Sequence, residues 1–86
     1  MTKGCLLVRQ FREDLAYWIK QDRKIASRIL ELVENILETP FKGLGKPEPL
    51  RYGKSNLWSR RITQEHRLVY RVSDDRIEFL QARYHY

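Results

Sequence analysis

An apolar stripe over residues 25–37 constrains this chain most. Ile25, Ile29, Leu32, Val33, Ile36 and Leu37 recur at the three- and four-residue spacing of one helix face. Lys24, Arg28, Glu31 and Glu34 fall on the other side. A helix of this kind needs an apolar layer to lie on. Asp22 is placed to cap it, since an aspartate side chain accepts from the exposed amides of the first turn. Thr39 and Pro40 end it, because a proline disfavours helix in the residue before it. Phe11, Leu15, Trp18 and Ile19 form an earlier stripe and predict a first helix.

The second half changes period. Residues 58–70, WSRRITQEHRLVY, read as two strands meeting at a short polar turn. Leu68, Tyr70 and Val72 supply the apolar side, while Arg67, Val69 and Arg71 point the other way. Strands are predicted at 57–63, 66–72 and 77–84, with residues 73–76 as the last turn. Residues 5–8 make a first strand and residues 50–52 a further short one. The order β-α-α-β-β-β-β implies an α+β fold, two N-terminal helices on one face of a mostly antiparallel sheet. The partner of the first strand is not set by the sequence.

At 86 residues the chain is expected to be a single domain, burying only about 60% of its unfolded surface. Its apolar run after Lys3 is broken by Arg9 and Gln10, too early for a signal peptide, and no run is long enough to span a bilayer. Cys5 has no partner for an internal disulfide and suits a reducing cytosol; it reads as a small buried strand residue. The net charge is +6 and unevenly spread. Residues 1–40 hold seven Lys/Arg and six Asp/Glu, residues 41–86 ten and five. A basic half suggests an acidic partner, nucleic acid first among them.

Residues 40–56 contain all three prolines and three of the four glycines. An irregular segment this long inside a small domain usually carries a site. Within it Glu48 stands between Pro47 and Pro49, which stiffen the backbone that presents its carboxylate. One cysteine with His66 and His85, at no paired spacing, argues against a metal site, and no phosphate-cradling glycine loop is present. The remaining groups are a carboxylate, arginines and a histidine near the C-terminus. They suggest a ribonuclease that needs no metal or cofactor. RNA carries its own nucleophile, the 2′-hydroxyl. Glu48 can take its proton, Arg67 can hold the charged phosphorane, and His85 can protonate the leaving oxygen. Tyr84 and Tyr86 can stack on a base. Lys46, Arg51, Arg60, Arg61 and Arg83 can hold phosphates. Strand alternation sends His85 and Tyr86 to opposite faces, so both reach one site only if pairing relaxes at the end.

Three runs, TPFKGLGKPEPL, WSRRITQEHRLVY and the terminal RYHY, resemble the YoeB toxins of bacterial toxin–antitoxin systems, within the wider RelE group. The likeness extends to the helical half, including Tyr17-Trp18, and departs from the pattern at residues 52–56. It implies a compact microbial-RNase-like fold and an mRNA interferase that cuts messenger in the ribosomal A site. The family's general base falls on Glu48, its phosphate-binding arginine on Arg67, its general acid on His85 and its C-terminal tyrosine on Tyr86. Lys46 and Arg51 match basic loop positions. The resemblance also implies a YefM-like antitoxin with a flexible C-terminal segment, a homodimer, a cytoplasmic setting, and DNA contact only through the antitoxin. Composition alone fits a second reading equally, a non-catalytic module that blocks the ribosome by occupancy. A weaker third is a structural partner in a repressor complex.

Overall fold

A computed structural model describes residues 4–50 and 56–84. The elements follow the expected order: β1 (Gly4–Leu7), α1 (Arg9–Gln21), α2 (Arg23–Glu38), β2 (Glu48–Pro49), β3 (Leu57–Arg61), β4 (Arg67–Val72) and β5 (Arg76–Gln81). The Asp22 side chain accepts from the Lys24 amide at 3.1 Å and so starts α2. Thr39 closes it, its amide donating to Asn35 O at 2.8 Å. Ile29, Leu32, Val33 and Ile36 of the α2 stripe are buried, as the spacing predicts. In α1, Phe11 and Trp18 are buried but Ile19, about 100° further round the helix than Trp18, is half exposed.

Five strands form one sheet in the order β1-β5-β4-β3-β2. The first strand finds its partner in β5, in parallel; every other pairing is antiparallel. Helices and sheet share one core, in which Phe11, Ile29, Leu32 and Ile36 meet Leu68, Tyr70, Ile77 and Phe79. Full burial of such side chains is worth about 1.5–3 kcal/mol each relative to exposure. Leu68, Tyr70 and Val72 alternate into this layer.

The last strand departs from expectation. It ends at Gln81 rather than at 84. Val69 pairs with Gln81 and Tyr70 with Phe79, so Leu80 is an extra residue with no partner across the ladder. Beyond it, Ala82 is held by side chains of α1 instead of by a strand: its amide donates to Asp14 Oδ2 and its carbonyl accepts from Trp18 Nε1, both at 2.9 Å. Cys5 also departs. It is exposed rather than buried, because β1 is an edge strand. Loss of water around its thiol, with the charge of Glu34 adding, still pushes its pKa up and away from nucleophilic thiolate. The expected strand over residues 50–52 lies partly outside the described residues; Leu50 itself bonds through its amide to Leu57 O at 2.9 Å.

Candidate active site

The face of the sheet opposite the helices carries the candidate site. Register places Glu48 against Ser59, Ser59 against Val69, and Arg61 against Arg67. Alternation therefore brings Glu48, Arg61 and Arg67 to one face around the buried Ser59 and Val69. The Arg67 Nη1 lies 3.4 Å from Glu48 Oε1. The Arg67 side chain is only one-fifth exposed, whereas Glu48 is 62% exposed. The carboxylate thus faces water, held by two-residue β2, while the guanidinium is braced against the sheet. Neither group is locked into the core, so both can change partners.

The loop that delivers Glu48 is fixed from below. The Arg61 amide donates to Gly45 O at 2.6 Å. Gly45 has φ +78°, and a Cβ there would sit 3.0 Å from both Arg61 O and Leu32 Cδ2, so the close approach requires glycine. Lys46 follows with φ +52° and is exposed near Glu48 in sequence.

Arg60 does not belong to the phosphate-binding set. Adjacent strand residues face opposite sides, and Arg60 shares the helix side with Trp58 and Ile62. It is fully buried. Its Nε donates to Tyr70 Oη at 3.2 Å, its Nη1 to Asn35 Oδ1 and Leu44 O, and its Nη2 to Thr39 O and Lys42 O. All five guanidinium donors are used inside the protein, and none remains for RNA. Tyr70 completes the hub by donating to Pro40 O at 2.6 Å. Arg60 therefore ties residues 39–44 to the sheet and sets the path of the loop towards Glu48.

Burial pushes the Tyr70 hydroxyl pKa up, and its hydrogen bond with Arg60 and the Arg60 charge offset part of that. The folded chain holds this proton more tightly than the unfolded chain does. The stability it contributes is complete below about pH 10 and is lost as pH rises through the folded value. Urea midpoints are expected to fall faster above about pH 10 in the wild type than in Tyr70→Phe. Equal alkaline losses in the two would remove Tyr70 from that response.

The C-terminal end of the described chain runs beside the start of β4. The Arg67 amide donates to Tyr84 O at 2.9 Å, and the Tyr84 amide donates to His66 Nδ1 at 2.6 Å. The Arg83 guanidinium lies 3.5 Å from the Tyr17 ring centre and 4.8 Å from that of Tyr84, a cation–aromatic stack. Tyr84 is 59% exposed. Arg61 is exposed and makes no ion pair among the described residues. Arg71, by contrast, is paired with Glu78 at 3.3 Å. Arg51, His85 and Tyr86 lie outside the described residues.

Sequence reasoning missed Asp14, which is buried and takes the Ala82 amide while Gln10 Nε2 holds its other oxygen at 2.8 Å. The signal was present: Asp14 is three residues after Phe11 and four before Trp18, a carboxylate on the apolar stripe.

Solved structures with this architecture include bacterial toxins. The YoeB dimer from Staphylococcus aureus matches with a TM-score of 0.90 and 37% identity over 100% of both chains. The YoeB–YefM complex from the same organism matches at 0.84 and 36%, again over 100% of both chains. In sequence, Toxin YoeB of Mycobacterium bovis is 55% identical over 74 residues, 86% of this chain and 87% of that protein. The model of the family described as "YoeB-like toxin of bacterial type II toxin-antitoxin system" matches residues 8–86. The chain belongs to this family of YoeB-like type II toxins.

Proposed function

We propose that this toxin is a ribosome-dependent mRNA endoribonuclease that cuts messenger in the A site. The observation that carries the reading is the pair of Glu48 and Arg67, 3.4 Å apart on the sheet face opposite the helices, with Tyr84 bonded to the Arg67 backbone. His85 and Tyr86 follow Tyr84 directly in sequence. Glu48 takes the proton of the 2′-hydroxyl, whose oxygen attacks the neighbouring phosphorus. Arg67 neutralises the phosphorane oxygens with its two-pronged guanidinium. His85 gives a proton to the departing 5′-oxygen, leaving a 2′,3′-cyclic phosphate. Lys46, Arg51 and Arg61 hold flanking phosphates, and Tyr84 and Tyr86 stack on bases. Arg83 supports Tyr84 from behind.

The described helices include none long and apolar enough to cross a membrane. The toxin is proposed to act in the cytoplasm, to form a homodimer as its Staphylococcus aureus relative does, and to be restrained by a YefM-like antitoxin. An acidic, flexible segment of that antitoxin suits the +6 chain, and DNA is reached only through it.

Primer extension on a defined mRNA in a purified translation system tests the reading. Wild type is expected to create new 5′ ends within the A-site codon, and Glu48→Ala none, while ribosome binding is kept or tightened. Stalled translation with intact messenger in both would replace the nuclease by an occupancy-type inhibitor.

A further inference from the structure

Ala82 and Tyr84 are gripped in a way that the proposed chemistry does not by itself require. A strand bonds its neighbour through every second residue. Past Gln81 the chain keeps this rhythm, but side chains replace most of the partner strand. Asp14 takes the Ala82 amide and Trp18 donates to the Ala82 carbonyl. His66 takes the Tyr84 amide at 2.6 Å, and only the Tyr84 carbonyl bonds to backbone, that of Arg67. The His66 ring stands edge-on to Trp18, 4.8 Å between centres, and is 5.5 Å from the Tyr84 ring. Its own backbone amide is tied to Thr63 Oγ1 at 3.0 Å. At Tyr84 the backbone takes φ +63°, a left-handed turn uncommon for a residue with a side chain. A hydrogen bond from the Tyr84 amide to Nδ1 thus sits where the chain changes direction, one residue before His85.

We propose that His66 is a positioning residue for the C-terminal acid: its Nδ1, steadied by Trp18, holds the turn at Tyr84, the residue that directly precedes His85. The proposal rests on the ribonuclease reading. Accepting the Tyr84 amide requires a neutral imidazole with its hydrogen on Nε2. Asp14 and Trp18 are buried and serve the core as well, so His66, only partly buried, is the member that can be changed without unfolding the chain.

Two substitutions separate the acceptor from the ring. His66→Phe keeps a flat ring against Trp18 and removes the acceptor. His66→Asn removes the ring, and its Oδ1 can stand in for Nδ1. Cleavage rate in a purified translation system, thermal midpoint, and exchange of the Tyr84 amide by NMR are measured for each on the full chain. His66→Phe is expected to exchange the Tyr84 amide faster. Its kcat is expected to fall on the order of 10²-fold, as misplacement of a reacting group does, at unchanged KM and midpoint. His66→Asn is expected to recover most of the rate. In a His85→Ala background, His66→Phe is expected to slow cleavage no further, because both act through one group. Wild-type kcat in His66→Phe, or an unaltered Tyr84 exchange rate, overturns the proposal. Equal losses in the Phe and Asn variants overturn it too, since the ring and not the acceptor would then matter. If the wild-type chain cuts no messenger, the ribonuclease reading falls and the positioning role with it; the exchange data then report separately whether His66 holds Tyr84.

Discussion

Arg67→Ala is expected to slow messenger cleavage by about 10²–10³-fold, the usual cost of removing charge stabilisation aimed at a transition state. The guanidinium stands on the first residue of β4, braced by the sheet on the face that also presents Glu48. A phosphorane has equatorial oxygens that a planar, two-pronged cation can meet together. Lysine offers a point charge without that fork, so Arg67→Lys is expected to recover only part of the rate. Stability follows a different course. The ion pair of Arg67 is long and its partner exposed, so it is worth less than about 1 kcal/mol. Activity and stability should therefore separate: a large fall in single-turnover cleavage with a nearly unchanged urea midpoint. Near-normal turnover in Arg67→Ala would take this residue out of the mechanism.

Arg60 should behave in the opposite way. Arg60→Met is expected to cost about 3–5 kcal/mol, because it leaves five neutral acceptors short of a donor and each buried acceptor left without one costs about 1–3 kcal/mol. That is a large part of the 5–15 kcal/mol that holds a small domain together. The substitution strips a donor from Tyr70 and Asn35 and from the carbonyls of Thr39, Lys42 and Leu44. Water can reach some of these groups, since Lys42 and Leu44 are exposed, which holds the cost towards the lower end. Arg60→Lys should rescue little, because an ammonium has three donors and no fixed fork to span five acceptors. Urea unfolding of the three proteins checks this. A loss under 1 kcal/mol in Arg60→Met would mean that the loop holds its path without the hub.

These two arginines show how far the sequence could be read. Both stand in one of the runs that resemble the family, and composition treats them alike. Strand alternation separates them: Arg67 opens β4 opposite Arg61, whereas Arg60 falls in line with Trp58 and Ile62. That parity was available from the letters, but the acceptors that make a buried cation tolerable come from residues 10 to 25 positions away. The α2 stripe, the Asp22 cap and the stop at Thr39-Pro40 were legible because each is a local effect. The parallel partner of β1 and the grip of Asp14 on Ala82 were not, because they depend on contacts more than 60 residues apart. Glu48 was legible as a presented carboxylate; its distance to Arg67 required the register of three strands.

Leu80 matters in another way, through length rather than identity. Before it, odd positions feed the core, as Ile77 and Phe79 do. After it the parity inverts, and the even-numbered Ala82 is the buried one. The extra residue acts as a phase shift along the strand. Losing this one residue would regularise the ladder and still leave Gln81 opposite Val69 and Ala82 on the core side, where Asp14 and Trp18 close on it. The bulge is therefore slack in the strand: its length can shorten by one here without moving the residues that follow.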